Sequence, residues 1–293
     1  MTEKVPCPLC GSFSVAPSWF AAASFAERPF PYAHCTTCGS HFSHPMPDDA
    51  TLAAMYGGEY AARPGAPPTD DADEHAAWVV AELRRQRAGT FLDYGCGAGG
   101  LLVAARDLGW EPIGVELDAD VARVVARATG ARTCAVDELR NETAIADVLH
   151  LGDVVEHLTQ PLAQLREILR LVRPGGLLLA QGPLEGNASV FFGLLRLKQW
   201  LRPRAVGAVP PYHVLLATAD GQRALFERAG LREESFTMRE VDWPVPSTIS
   251  GRDLFVPGRV GLFAARRLSR AVSALAPTRF GNRYSYRGRF VGL

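Results

Sequence analysis

Hydrophobic and polar positions alternate in blocks over most of the chain. Short apolar runs bounded by Gly, Pro or Asp predict buried strands, and they are separated by segments with helical spacing of apolar residues. The segment 161–172 shows this spacing clearly, with apolar side chains at 162, 165, 168, 169 and 172. Strand and helix signals alternate from residue 74 onward, which predicts a parallel sheet with helices on both faces. The expected fold class is α/β.

The pattern divides the chain into three parts. Residues 1–60 carry two Cys-x-x-Cys pairs and a short predicted helix, and residues 61–73 form a Pro-, Ala- and Asp-rich connector. Residues 74–293 carry the alternating strands and helices, interrupted by an insertion at 183–217. The insertion contains an apolar helix, which we expect to cover a substrate pocket or to contact a membrane surface.

A glycine-rich loop follows the first strand of the alternating region. Asp93 ends the apolar run, and Gly95, Gly97 and Gly99 follow it. This spacing lets a strand turn sharply into a helix and approach a ligand closely. A carboxylate beside the loop would repel dinucleotide phosphates, whereas it suits an ammonium or sulfonium group. The loop therefore favours a positively charged ligand.

The D-x-G-x-G-x-G loop resembles motif I of the S-adenosylmethionine-dependent methyltransferases with a Rossmann-like fold. Two later features agree: Glu116 lies about twenty residues after the first glycine, and the segment 153–183 contains "EHL" and "PGG". The resemblance implies a seven-stranded, mostly parallel sheet in the order 3-2-1-4-5-7-6. Glu116 stands where a carboxylate is expected to accept from the two ribose hydroxyls. Asp137, at the end of the third strand, either accepts from the adenine amino group or is a solvated loop acid. The expected cofactor contacts are Asp93, Gly95, Cys96, Gly97, Gly99, Glu116, Leu117, Asp137 and Asp153.

The four N-terminal cysteines form two Cys-x-x-Cys knuckles, Cys7 with Cys10 and Cys35 with Cys38. Four thiolates satisfy tetrahedral Zn²⁺ and leave no open coordination position. We therefore expect a structural zinc ribbon; a redox dithiol or metal-free thiols are the alternatives. The ribbon followed by a methyltransferase-like region is similar to a group of bacterial methyltransferases that act on small molecules such as sugars.

Two histidines are candidates for work on the methyl acceptor, because ligands of open α/β sheets lie beyond the carboxyl ends of the strands. His157 follows the predicted fourth strand, and His213 ends the insertion. An imidazole titrates near neutral pH and suits the role of a general base. Tyr212 is a lesser candidate. His157 has an alternative role in ordering the loop without moving a proton.

Charge is balanced overall but unevenly distributed. The formal net charge is zero, which argues against a general polyanion binder, whereas residues 251–293 carry nine arginines and a single acid, Asp253. This distribution permits an anionic partner, such as a phosphorylated substrate, a carrier protein, a membrane surface or RNA. A solvated basic face that is balanced by acidic residues elsewhere is the alternative. The chain has no run of eighteen apolar residues and no secretory signal layout, so a cytoplasmic location is expected.

The sequence thus predicts an enzyme that methylates a small-molecule acceptor, such as a sugar, a glycan intermediate or a specialised metabolite. An RNA methyltransferase is the main alternative, because one family that methylates rRNA guanine also carries an N-terminal zinc site. The ribbon has only Arg28 as a cation between its knuckles, which makes a nucleic-acid partner less expected. An NAD-dependent oxidoreductase and a non-catalytic cofactor-binding regulator are further alternatives.

Overall fold

The computed structural model describes residues 5–56, 70–201, 210–241 and 256–292. The chain forms two compact units built from interleaved segments. The ribbon unit consists of Met1–Tyr60, Pro183–Leu225 and Thr237–Tyr284. The sheet unit consists of Ala61–Gly182, Phe226–Phe236 and Ser285–Leu293.

Strands and helices occupy most of the described chain. The strands are β1 Val15–Pro17, β2 Ala23–Phe25, β3 Arg28–Phe30, β4 Tyr32–Cys35, β5 His41–Ser43, β6 Thr90–Tyr94, β7 Glu111–Glu116, β8 Arg132–Ala135, β9 Ala146–Gly152, β10 Val172–Pro183, β11 Leu215–Leu216, β12 Leu231–Arg239 and β13 Arg283–Phe290. The helices are α1 Asp49–Tyr56, α2 Asp70–Arg84, α3 Gly100–Asp107, α4 Ala119–Thr129, α5 Pro161–Leu169, α6 Val190–Leu201, α7 Ala219–Arg228 and α8 Pro257–Leu275. Short 3₁₀ helices span Val136–Leu139 and Val155–His157.

The sheet unit is built on a seven-stranded sheet in the order β12-β13-β10-β9-β6-β7-β8. Numbered along the chain within this sheet and viewed from the β8 edge, the order is 3-2-1-4-5-7-6. The pairs β6–β7, β7–β8, β6–β9 and β9–β10 are parallel. Phe91 and Leu92 of the central strand are fully buried, as expected for a strand covered on both faces. The predicted α/β class with a mostly parallel seven-stranded sheet is confirmed.

Two element boundaries differ from the sequence prediction. Helix α2 begins at Asp70, before the expected start near residue 74, and residues 61–69 of the predicted connector lie outside the described ranges. The Pro-Gly-Gly turn expected between α5 and the next strand instead lies inside β10. Its register against β9 shifts between Val172 and Leu177, and Gly175 takes a left-handed φ of 76°. The turn is a bulge because Val172 still pairs with Ala146.

The ribbon unit contains a four-stranded sheet in the order β1-β4-β5-β11 and a separate β2–β3 hairpin. Strand β11 comes from the insertion at 183–217 and pairs antiparallel with β5, with Leu215 opposite Phe42. Both side chains are only 1% exposed, and their contact across the two strands stabilises the pairing of the insertion with this sheet. The insertion, which the sequence pattern assigned to the catalytic region, therefore lies in the ribbon unit. In the parts of the chain that the structure describes, no helix has the length and apolarity needed to cross a bilayer.

Candidate active site

The glycine-rich loop after β6 has the backbone that its sequence requires. Gly95, Gly97 and Gly99 have φ values of 81°, 52° and 78°, in the left-handed region that disfavours other residues. At Gly99 a Cβ atom would lie 2.6 Å from Cγ2 of Thr129 and 2.8 Å from Cγ1 of Val125. The third glycine thus lets α3 begin directly against α4.

Glu116 ends β7 and lies beside this loop. Its Oε1 atom accepts a hydrogen bond from the Gly97 amide at 2.5 Å. Partial burial raises the pKa of this carboxyl, and the Gly97 amide opposes the shift by stabilising the charged form. The side chain is half-buried, so one carboxylate oxygen is held by the loop while the group keeps access to a ligand. Cys96 is buried, and burial raises its pKa to about 12, so it is a neutral filler of the loop.

Asp93 lies at the start of a buried chain of three polar side chains. Its Oδ1 atom lies 2.6 Å from Nδ1 of His150, and Nε2 of His150 lies 2.8 Å from Nε2 of His75. The exposed fractions of Asp93, His150 and His75 are 2%, 4% and 6%. A carboxylate can only accept hydrogen bonds, so Nδ1 of His150 donates to Asp93. A single proton then lies between Nε2 of His150 and Nε2 of His75.

The chain of bonds follows from the sheet register. Asp93 of β6 and His150 of β9 are partners in the parallel ladder, so their side chains emerge on the same face. His75 comes from α2, whose Val79 and Leu83 pack against Phe91 in one hydrophobic cluster. Sequence reasoning assigned His150 no site role and missed His75. The alignment of β6 with β9 would have revealed the first, whereas no local signal marks the second.

Three further predicted cofactor residues lie at the ends of β7, β8 and β9. Leu117 is 75% exposed. Asp137 lies in the 3₁₀ helix after β8, and its carboxylate accepts from Arg140 Nη2 at 2.8 Å. Asp153 takes a φ of 54° and accepts from Gln181 Nε2 at 3.1 Å. Their roles at the cofactor stay predictions.

The two candidate acceptor-side histidines have different surroundings. His157, in the sheet unit, lies in the 3₁₀ helix after β9 with Nε2 3.9 Å from Oε1 of Glu156. His213, in the ribbon unit, has Nδ1 3.0 Å from Oε2 of Glu185. Its backbone oxygen also accepts from the hydroxyl of Tyr32 at 3.2 Å. The expected convergence of the two histidines stays a prediction.

Sequence reasoning missed Glu185, and a positional signal existed for it. The residue follows the end of β10 by two positions, which is where ligand-facing side chains of α/β sheets occur. The His213 side chain is 23% exposed and that of Glu185 is 12% exposed. The carboxylate therefore fixes the orientation of the imidazole through Nδ1. Tyr212 is half-buried and immediately precedes His213 in the chain.

The four N-terminal cysteines come together in the ribbon unit. Cys7 Sγ lies 3.8 Å from Cys38 Sγ, Cys10 Sγ lies 3.5 Å from Cys35 Sγ, and all four sulfurs lie within 4.8 Å of one another. A tetrahedral zinc site with Zn–S bonds of ~2.3 Å has sulfurs about 3.8 Å apart, so the tetrad fits such an ion. The side-chain contact with Cys7 lowers the pKa of Cys38, which favours its thiolate form.

The second knuckle is bonded to the segment that follows His213. Thr218 donates from Oγ1 to the backbone oxygen of Cys38 at 2.5 Å, and its amide donates to Ser40 Oγ at 3.0 Å. A Cβ atom at Gly221 would lie 3.3 Å from Cys38 Sγ, so the start of α7 approaches the knuckle closely. An ordered cysteine cluster therefore helps to fix the position of the backbone segment that carries His213.

Comparisons with known proteins agree with this geometry. A family model described as a methyltransferase domain matches residues 71–235, more than half of the chain. A ubiquinone biosynthesis O-methyltransferase from Ruegeria sp. (strain TM1040) is 31% identical over 183 residues, covering 56% of this chain and 69% of that protein. A ribosomal protein L11 methyltransferase from Bordetella parapertussis is 35% identical over 119 residues, covering 39% of this chain. That match spans only 36% of the Bordetella protein, about a third of its length.

The fold has solved counterparts as well. The structure described as a putative sarcosine dimethylglycine methyltransferase from Galdieria sulphuraria superposes with a TM-score of 0.50 at 13% sequence identity. The superposition covers 74% of this chain and 86% of that chain, and it supports the fold alone. The family match and the curated relatives carry the assignment further. The chain belongs to the methyltransferase domain family and is an S-adenosylmethionine-dependent methyltransferase.

Proposed function

We propose that this enzyme methylates a small-molecule acceptor and that His213, oriented by Glu185, removes the acceptor proton. The observation that carries the proposal is the 3.0 Å contact between Nδ1 of His213 and Oε2 of Glu185. A carboxylate on Nδ1 selects the tautomer that carries its proton on Nδ1 and its lone pair on Nε2, as a general base requires. His157 has a longer contact with its carboxylate, 3.9 Å, and is the weaker candidate.

When bound, S-adenosylmethionine would supply an activated methyl group on a sulfonium, and the protein would position the acceptor for in-line displacement. Nε2 of His213 would take the proton of an acceptor hydroxyl, amine or acidic carbon as the acceptor gains the methyl group. The carboxylate of Glu185 then stabilises the imidazolium. The products would be S-adenosylhomocysteine, the methylated acceptor and protonated His213, so that atoms and charge balance.

We propose further that the loop Asp93–Gly99 holds the cofactor and that Glu116 accepts from both ribose hydroxyls. The 2.5 Å hydrogen bond from the Gly97 amide fixes the orientation of that carboxylate. This contact supports the role, because a side chain that the protein itself orients loses little freedom on binding.

Glu116→Ala should weaken binding of S-adenosylhomocysteine at least several-fold. Removing the acceptor leaves the buried ribose hydroxyls unpaired, which costs roughly 1–3 kcal/mol. Isothermal titration calorimetry measures the change. Glu111→Ala, at the exposed start of the same strand, is the matched control and should bind like the wild type. Equal affinity for the Glu116 and Glu111 variants would remove Glu116 from the site.

His150→Leu should weaken S-adenosylhomocysteine binding because Asp93 loses the donor that orients its buried carboxylate. The unpaired carboxylate should also lower the free energy of unfolding by about 1–3 kcal/mol. His150→Asn keeps a donor near the position of Nδ1 and should restore most of the affinity. Calorimetry and thermal unfolding of both variants test this positioning role. If both variants lose stability equally and bind cofactor like the wild type, His150 has only a packing role.

The cysteine tetrad, we infer, holds one structural Zn²⁺. Four thiolates close the coordination shell, so the ion would stabilise the ribbon and take no part in methyl transfer. The hydrogen bonds from Thr218 to Cys38 and Ser40 join the second Cys-x-x-Cys pair to the segment after His213. Loss of the metal should therefore also lower the rate of methyl transfer.

The acceptor class is tested by a mass-shift assay with pools of nucleotide sugars, lipid intermediates, RNA and ribosomal proteins. We expect a gain of one methyl group, about 14 Da, in a small-molecule pool. Between the knuckles, Arg28 is the only lysine or arginine, so this segment offers little positive charge to favour RNA. Methylation of RNA or protein with the small-molecule pools unchanged would contradict the proposed acceptor class.

A further inference from the structure

Helix α6 of the ribbon unit carries an exposed apolar surface. Leu194, Leu197, Trp200 and Leu201 are 46%, 49%, 77% and 63% exposed. At 3.6 residues per turn these four side chains occupy one arc of roughly 120°. We call them the α6 outer face. A contiguous apolar face of this kind marks an interaction site, whereas single exposed apolar residues are ordinary.

The opposite side of α6 is fixed against α8 of the same unit. Phe191 is 4% exposed, its amide donates to Ser269 Oγ at 3.3 Å, and the guanidinium of Arg266 lies 3.4 Å from the centre of its ring. Arg266 is itself fully buried, with Nη1 3.7 Å from Oε1 of Glu240. This buried cluster sets the rotation of α6 about its axis. The outer face therefore points away from the core of the ribbon unit because of specific inner contacts.

The charged residues within α6 and α8 are all cationic. Neither α6 nor α8 contains an acidic residue. Arg196 borders the outer face, and its guanidinium lies 5.6 Å from the ring centre of Trp19. Arg259, Arg267 and Arg270 are exposed on α8. Apolar and cationic groups together thus form the exposed surface of this helix pair.

A groove of about 590 Å³ runs beside the outer face. Its lining includes Trp19, Arg196, Leu197 and Trp200. Indole rings combine an apolar body with a polar N–H group, and they are enriched where hydrocarbon meets headgroups. Arginine beside them suits phosphate. The groove and the outer face have the same chemistry.

We propose that the α6 outer face docks on a lipid bilayer that contains anionic phospholipids. The helix lies in the plane of the interface, with its leucines and Trp200 at the boundary of the acyl chains and the surrounding arginines among the headgroup phosphates. An acidic protein partner would account for the cations but would leave a continuous apolar arc to be matched by its own surface. The bilayer accounts for both features. This inference concerns where the enzyme works and is independent of the residue that acts as base.

Co-sedimentation with phospholipid vesicles tests the docking. The full-length wild-type protein should bind vesicles containing about 30% phosphatidylglycerol at least fivefold more tightly than pure phosphatidylcholine vesicles, and added salt should weaken binding. Leu197→Glu combined with Trp200→Glu should reduce binding at least about tenfold. Val124→Glu, at a side chain 64% exposed on α4, is the matched control and should bind like the wild type.

A charge variant tests the cationic part without touching the outer face. Arg267→Glu on α8 should weaken binding to anionic vesicles at least about fivefold and leave binding to neutral vesicles unchanged. Each variant must retain the wild-type unfolding temperature and affinity for S-adenosylhomocysteine. Undiminished vesicle binding by folded α6 variants would overturn the proposal. A wild-type dimer that the same variants dissociate, with no vesicle binding, would overturn it in favour of a second copy.

Discussion

His213→Ala is expected to lower the rate of methyl transfer by roughly 10²–10⁴-fold, the usual contribution of a general base. Affinity for S-adenosylhomocysteine should remain near the wild-type value, because the proposed cofactor contacts lie in the sheet unit and His213 belongs to the ribbon unit. Single-turnover kinetics at saturating cofactor measure the first quantity and calorimetry the second. A loss of rate without a loss of affinity is the signature of a group that acts on the acceptor.

The matched control is His157→Ala, the other histidine of the same chemical type. If His213 is the base, its substitution should lower the rate far more than substitution of His157. Glu185→Gln should also reduce the rate, at least about tenfold, because the amide cannot stabilise the imidazolium as a carboxylate does. A full loss of rate in His157→Ala with His213→Ala unaffected would transfer the role to His157. If neither variant loses rate, the enzyme relies on proximity alone.

Cys38→Ser is expected to abolish metal binding and to destabilise the ribbon unit by on the order of 4 kcal/mol or more, as loss of a structural metal does. Wild-type protein should contain about one zinc per chain, and the variant close to none. Elemental analysis and thermal unfolding measure the two effects. Because Thr218 bonds to the backbone of Cys38, the rate of methyl transfer should fall as well.

Cys134→Ser is the control for the chemistry of the substitution. Cys134 is buried in β8 outside the tetrad, with Sγ 3.7 Å from the Gly114 oxygen. Its replacement should leave the metal content unchanged and lower stability by about 1 kcal/mol. A wild-type protein that binds no metal, or a Cys38 variant as stable as the Cys134 variant, would contradict the zinc assignment.

Local chemistry made the main features of the sheet unit predictable. Apolar runs that end in Asp93 and Glu116 identified β6 and β7, because strand periodicity and a carboxylate at the strand end are both readable in a few residues. Glycine is required at positions 95, 97 and 99 between these strands because the backbone there is left-handed. The two Cys-x-x-Cys pairs predicted a cluster of four sulfurs, and the structure brings these sulfurs together.

Features that depend on tertiary placement were not predictable. The bond between Asp93 and His150 depends on the register of β6 against β9, and the bond to His75 depends on where α2 packs on the sheet. The pairing of β11 with β5 joins residues far apart in the chain, and two apolar residues alone do not predict it. The position of Glu185 just after β10 could have been recognised in the sequence, but its contact with His213, 28 positions later, could not.

A crystal structure of the zinc-loaded protein with S-adenosylhomocysteine would show where the cofactor binds. We expect both ribose hydroxyls to lie within about 2.5–3.0 Å of the Glu116 carboxylate oxygens, the distance of an O–H···O hydrogen bond. We also expect the amino-acid part of the ligand to lie against the loop from Asp93 to Gly99. A nucleoside bound elsewhere, or a ribose that makes no contact with Glu116, would contradict the proposed cofactor site.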